Sequence, residues 1–200
     1  ERVHYGDALM PKSFEGYWGR YLSVEEWPTS DALSGLRPQP HIVYGRAPSA
    51  PGEIVLNLGI KGQTVESGSW LYESLPTSGL DDTAPRASWD GALDLGSTVE
   101  LSLGRRIYID PETGEQAPCL YSESLYTAES AQGDVISEYL KDPAAPATYT
   151  VVGFHGPEDD SSYDQWGSEG PGYLGFTCAS DMPALQTSAY VATDLASRSK

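Results

Sequence analysis

Apolar positions along this chain recur mainly with a period of two, the spacing of half-buried strands. Thr148-Tyr149-Thr150-Val151-Val152-Gly153-Phe154 is the clearest run, β-branched and aromatic almost throughout. Leu93 to Gly96 leads into Thr98-Val99-Glu100-Leu101-Ser102-Leu103, which alternates and puts Val99, Leu101 and Leu103 on one face. His41-Ile42-Val43-Tyr44 predicts a strand broken by Gly45, and Glu53 to Leu58 predicts another. Ile54-Val55-Leu56 is apolar on both faces, as in a strand covered from both sides. Arg105 to Asp110 and Glu115 onward flank Pro111-Glu112-Thr113-Gly114, a turn signal that predicts a hairpin. Tyr173 to Thr177 and Ala189 to Val191 complete the predicted strands.

Helical spacing is scarcer. Trp70, Leu71, Ser74 and Leu75 predict a short helix over residues 67–75, stopped before Pro76. Asp134 is placed to cap a helix running to Lys141, with Val135, Ile136, Tyr139 and Leu140 as its apolar face and Asp142-Pro143 as its end. Thr193 is placed to cap a last helix from Asp194, and residues 31–35 predict one helical turn ended by Gly35. Residues 1–30 are aromatic and irregular, with Tyr5, Phe14, Tyr17, Trp18, Tyr21 and Trp27 but no predicted element. The expectation is an α+β fold: a β-rich mixed sheet with a few short helices, in one domain or two small lobes sharing a core.

The chain has 200 residues, enough for a substantial core. Its 21 glycines and 15 prolines predict frequent turns and short helices. A net charge of −17 excludes nucleic acid as partner, because phosphate recognition needs a cationic footprint and the largest basic cluster is Arg105-Arg106. It disfavours anionic membrane surfaces equally and leaves a cationic partner open. No apolar run is long enough to span a bilayer, and no leader is evident. A mature secreted chain, or a soluble domain of something larger, is therefore expected.

Catalytic and metal signatures fail one by one. There is no phosphate-binding glycine loop, no H-E-x-x-H and no G-x-S-x-G. Ser197-Arg198-Ser199-Lys200 matches S-x-x-K only formally, without its companion motifs. His4, His41 and His155 have no neighbours at metal-ligand spacing and are read as solvated or satisfied strand-end residues. Asp160, Ser162 and Asp164 resemble the start of a calcium loop within the acidic 157–169 stretch. Gln165 and Pro171 then stand where that loop needs Gly and Glu, so a solvated acidic loop is expected. Glu25-Glu26 and Asp81-Asp82 are adjacent pairs, and neighbours on extended chain point to opposite faces. Cys119 and Cys178 are either two buried thiols or, in an oxidising compartment, a disulfide contributing about 4 kcal/mol.

One segment resembles a known family. Gly45-Arg46-Ala47-Pro48-Ser49-Ala50-Pro51-Gly52-Glu53-Ile54-Val55-Leu56 is similar to a G-R-x-P turn, polar loop and E-I-V-L strand in the extracytoplasmic domains of MacB/FtsX-like ABC-transporter permeases. Leu95-Gly96-Ser97-Thr98-Val99-Glu100-Leu101 and Thr148-Tyr149-Thr150-Val151-Val152-Gly153 follow in the family's order. Gly45, Arg46, Pro48, Glu53, Gly96 and Gly153 carry the resemblance. Gly45 permits a tight turn, Pro48 and Pro51 stiffen the loop, and Arg46 and Glu53 are placed to pair across it.

The resemblance implies one extracytoplasmic domain over 1–200, with 31–60, 91–104 and 148–200 as scaffold and 61–90 and 105–147 as insertions. It also implies an absence of catalytic residues, cofactor and metal. The implied partners are transmembrane helices of the same parent chain, a cytoplasmic ATPase subunit, a second copy in the full transporter, and an unidentified substrate or extracytoplasmic protein. The implied location is the extracytoplasmic face of the cell membrane. Two other readings stand beside it. One is a secreted or surface-anchored carbohydrate- or protein-binding module using Trp18, Trp27, Trp70, Trp89 and Trp166; the other is a secreted hydrolase using scattered carboxylates.

Overall fold

The computed structural model describes residues 2–14, 20–28, 39–66, 83–109, 113–118, 138–156, 173–178 and 186–188. Within them run twelve strands: β1 (Arg2–Leu9), β2 (Tyr21–Glu26), β3 (Ile42–Gly45), β4 (Glu53–Asn57), β5 (Ser88–Trp89), β6 (Thr98–Leu101), β7 (Arg105–Ile109), β8 (Gln116–Pro118), β9 (Glu138–Lys141), β10 (Ala147–His155), β11 (Tyr173–Thr177) and β12 (Gln186–Ser188). The helical parts among these residues are two 3₁₀ turns, Lys12–Phe14 and Leu58–Ile60. The protein is β-rich, and its main sheet is mixed.

Nine strands form that sheet, in the order β12-β1-β2-β11-β4-β10-β6-β5, with β3 also on β10. Two neighbouring pairs are parallel, β4 with β10 and β2 with β11. Both join segments far apart in sequence, as parallel pairing requires. The sheet curls until its ends meet. The Ala87 amide, just before β5, donates to the Leu9 carbonyl at the end of β1 at 2.7 Å.

Curling turns one face of β1, β2, β4, β5, β6, β10 and β11 inward. Tyr5 and Ala8 of β1, Leu22 and Val24 of β2, Ile54 and Leu56 of β4, Trp89, Val99 and Leu101, Tyr149, Val151 and Phe154 of β10, and Tyr173 share one buried core. The alternation of β6 appears as predicted: Val99 and Leu101 are buried, Thr98 and Glu100 exposed. Phe14 plugs the interior, edge-on to Trp89 at 5.5 Å and to Tyr173 at 6.1 Å. A second apolar cluster, Trp27, Val55, Leu174 and Phe176, covers the outside of β4 and β11. Strand β4 is thus covered on both faces, as Ile54-Val55-Leu56 predicted.

A separate three-stranded sheet, β8-β7-β9, lies against the outside of β1 and β2. The expected hairpin is there, with Ile109 opposite Gln116. The helix expected from Asp134 to Lys141 is not: residues 138–141 are strand β9, pairing antiparallel with β7. The exposed edge of β7 supplies backbone partners, and Leu140 packs against Leu9 and Tyr21. Tertiary pairing overrides the local helical spacing there.

Residues 1–30 are a second correction. They contain β1 and β2, which lie within the sheet beside the strands of the predicted scaffold. The register of β1 on β2 shifts between His4 and Gly6, a bulge that breaks the period of two. The helices expected at 31–35, 67–75 and from Asp194, and the strand at 189–191, lie outside the described residues.

Core truncations should separate the two faces of β10. Phe154→Ala is expected to cost about 3–5 kcal/mol in urea unfolding. Thr148→Ala, on the exposed face of the same strand, should change stability by less than about 0.5 kcal/mol.

Candidate functional site

Five of the six residues that carry the family resemblance, Gly45, Arg46, Glu53, Gly96 and Gly153, lie around the middle of β10, and Pro48 lies in the loop beside them. Strand β10 is approached on one edge by β4 and on the other by two strands in succession, β6 along residues 147–150 and β3 along 153–155. Between them the Gly96 amide donates to the Val151 carbonyl at 2.8 Å, and the Arg46 amide donates to the Val152 carbonyl at 2.9 Å. The ladder on β4 shifts register between Val151 and Gly153. That shift turns Phe154 into the core while Val152 packs against the outer cluster.

This crossing has no room for side chains. Gly45 has φ +78°, and a Cβ there would overlap the Val152 carbonyl oxygen and stand 2.8 Å from Leu95 Cδ2 and 2.9 Å from Gly153 Cα. A Cβ on Gly153 would stand 2.5 Å from the Arg46 carbonyl oxygen. Both positions require glycine for close backbone approach, and Gly45 requires it also for its left-handed conformation.

The 46–53 loop is closed by the ion pair expected from the sequence. Arg46 Nη1 donates to Glu53 Oε2 at 2.7 Å, and Nη2 donates to Oε1. The backbone amides of Ser49 and Ala50 donate to the same Oε2, at 2.8 and 3.2 Å. Pro48 is buried within the loop. The Arg46 fork, followed by the Ser49 amide and hydroxyl, outweighs desolvation and holds the Glu53 carboxyl down at about 2.

On the solvent side of this crossing, Tyr44 and Leu95 are 49% and 46% exposed, the large hydrophobic side chains most open to solvent among the described residues. Lys61 Nζ sits 5.1 Å from the Tyr44 ring centroid and 3.2 Å from Asp94 Oδ1. The Leu95 amide and then Lys61 lower the Asp94 carboxyl below its ordinary range. Tyr44, Leu95, Lys61, Asp94 and Arg46 therefore form a mixed apolar and charged surface over a close backbone crossing. Its chemistry suits recognition of a partner. It holds neither a nucleophile–base pair nor converging carboxylates.

A second polar cluster was missed in the sequence. It lies where the small sheet covers the outside of β1 and β2. Asp7 is buried there, accepting from the Ser23 hydroxyl and lying 3.1 Å from His4 Nε2. Glu25 is fully buried, opposite His4 in the ladder, and Arg106 of β7 is buried over the Tyr21 ring at 5.2 Å. Burial raises the Asp7 carboxyl, but His4, Arg106 and the two hydrogen bonds outweigh it and the net direction is down.

Ser, His and Asp occur together here in an order that cannot make a nucleophile. Asp7 stands between Ser23 and His4, so the Ser23 hydroxyl donates its hydrogen bond to the carboxylate and not to the imidazole. The available signal was His4-x-x-Asp7, with Ser23 and Glu25 interleaved between apolar Leu22 and Val24. Nothing in the sequence announces the sheet that covers those polar residues.

Other candidates resolve as follows. His155 Nε2 is 2.9 Å from the Leu174 carbonyl oxygen, with its ring edge-on to Phe176, so it is a satisfied core residue. His41 is exposed ahead of β3. Trp27 and Trp89 are core residues, which removes them from any sugar-stacking face; Trp18, Trp70 and Trp166 lie outside the described residues. So do Cys119, Asp81-Asp82, the acidic 157–169 loop and Ser197-Lys200, while Cys178 is half-buried just after β11. Among the described residues no group of three or more His, Cys, Asp and Glu is placed to hold a metal, and no helix is long and apolar enough to cross a membrane. No family model, no curated protein and no solved structure matches the chain.

Two glycines test the crossing. Gly45→Ala should destabilise by about 3 kcal/mol or more, or prevent folding, since strain and overlap combine. Gly52→Ala, with φ +77° but open space around it, should cost only the strain, about 1–2 kcal/mol by thermal or urea unfolding. The ion pair has its own signature. A carboxyl depressed by folding contributes stability above its ordinary value of 4.5 and loses it as pH falls toward about 2. Glu53→Gln should therefore flatten the acid limb of the stability–pH curve between those values, read by chemical denaturation at a series of pH values.

Proposed function

We propose that this chain is a non-catalytic extracytoplasmic domain of a MacB/FtsX-like ABC-transporter permease, coupling cytoplasmic ATP hydrolysis to substrate export or to an extracytoplasmic partner protein. The observation that carries the reading is the convergence of the motif residues. Gly45, Arg46, Pro48, Glu53, Gly96 and Gly153 come from three separated segments and build one backbone crossing. An ordered motif set selected for a scaffold would do this.

A domain that transmits motion needs stiffness more than chemistry. The crossing on β10 supplies stiffness, and Tyr44 and Leu95 beside it offer contact area to a partner. The net charge of −17 favours a partner with cationic groups at its surface. With the reading go an α+β class and an assembly of two copies with an ATPase subunit. The location is the extracytoplasmic face of the membrane.

The parent gene decides the reading. It is expected to encode hydrophobic spans of about 20 residues flanking this domain. Its product should purify in detergent with an ATPase subunit. A parent protein with neither spans nor ATPase would overturn the proposal. Within the intact transporter, the double variant Tyr44→Ser/Leu95→Ser should leave basal ATP hydrolysis unchanged and reduce transport or partner activation by about tenfold, the loss expected of two partly buried contacts.

A further inference from the structure

Three groups gather around the Lys61 ammonium. Its Nζ lies 5.1 Å from the centroid of the Tyr44 ring, 5.8 Å from that of Phe154 and 3.2 Å from Asp94 Oδ1. Two aromatic faces and a carboxylate around an ammonium are the elements of a cation-binding cage.

The walls of this cage are placed by bonds that leave the Lys61 side chain out. Tyr44 and Phe154 stand opposite each other in the antiparallel β3–β10 ladder, so both rings rise from the same face of the sheet. Asp94 is fixed by the turn before β6. Its Oδ1 accepts from the Leu95 amide at 2.8 Å, its carbonyl accepts from the Ser97 amide at 3.0 Å, and its own amide donates to the Ser97 hydroxyl at 2.9 Å. The Gly62 amide donates to the Leu93 carbonyl at 2.7 Å and brings that turn beside Lys61. Lys61 itself enters on a flexible four-carbon stem.

We propose that this cage is a binding site for a primary ammonium, the side chain of a lysine on a partner protein, and that Lys61 fills it until the partner docks. The site belongs to the partner surface described under the permease reading, and the inference rests on that reading for the partner being a protein. Tyr44 and Asp94 are open to solvent. Phe154 is buried, so its ring meets a second ammonium only once Lys61 has left. An exposed ion pair stabilises little, so Asp94 exchanges one ammonium for another readily. The tethered lysine is always at high local concentration, so a free amine competes poorly with it. A partner lysine succeeds because Tyr44 and Leu95 are covered in the same event, and because a chain of net charge −17 draws cationic surfaces toward it.

The probe is n-butylammonium, which reproduces the lysine side chain, titrated into the whole chain and followed by NMR at Tyr44, Asp94 and Leu95. This test uses the chain alone, so its failure is distinct from a failure of the permease reading, which the parent gene decides. Lys61→Ala is expected to bind the probe at least about tenfold more tightly than the wild type, since the internal competitor is gone. Adding Asp94→Asn or Tyr44→Leu to Lys61→Ala should weaken binding by roughly two- to fivefold each. n-Butanol, with the same stem and no charge, should bind Lys61→Ala at least about fivefold more weakly than the ammonium. Equal affinity of Lys61→Ala and wild type overturns the proposal, as does equal binding of n-butanol. Should Lys61→Ala fail to fold, the wild type still decides. Its Lys61 ε-methylene protons must lie upfield of their ordinary position through the two rings. They must move back on addition of n-butylammonium chloride but not of equal sodium chloride. No upfield shift, or the same response to both salts, overturns the site.

Discussion

The fold depends on a place where side chains are not tolerated. Strand β10 must accept β4 on one edge and both β6 and β3 on the other, and the handover between those two falls at Val151 and Val152. Backbone meets backbone there, over Gly45 and Gly153. Several features follow from that contact. The register shift turns Phe154 inward, Val152 joins the outer cluster, and the chain leaving Gly45 enters the loop that Arg46 and Glu53 close. The ion pair is exposed on the arginine side, so its contribution is to conformation more than to stability.

The two buried regions use different physics. The interior of the curled sheet is apolar, drawn from seven of its strands, and gains from area removed from water. The joint under β7 and β9 adds buried charges to a small apolar cluster, and their mutual attraction works against the cost of lost hydration. An apolar joint would hold more tightly and respond to little. A polar one binds less.

The strands that could be read from the sequence are those whose two faces differ in water exposure. Strand β6 alternates cleanly because Thr98 and Glu100 meet solvent, and β10 was legible because β-branched and aromatic residues dominate it. Strands β1 and β2 were hidden by the bulge at Gly6 and by outward residues, Asp7, Ser23 and Glu25, that are polar yet buried. Strand β9 was hidden because Tyr139 and Leu140 fit a helical stripe as well as a ladder, and only the edge of β7 decides between them. The Arg46–Glu53 pair was legible because both partners bracket one short loop. The His4 cluster was not, since its covering arginine lies about a hundred residues further along.

The parallel pairings set the order in which this chain can assemble. Strand β4, near residue 55, has its parallel neighbour near residue 152, and β2, near residue 24, has its parallel neighbour near residue 175. Such distant partners make loop closure the slow step of folding. During synthesis the early strands emerge long before the ones that flank them, so their apolar faces stay uncovered until the strands near residues 152 and 175 are out. The segment that seals the core is then β11, which slots between β2 and β4 and turns two unfinished sheet fragments into one.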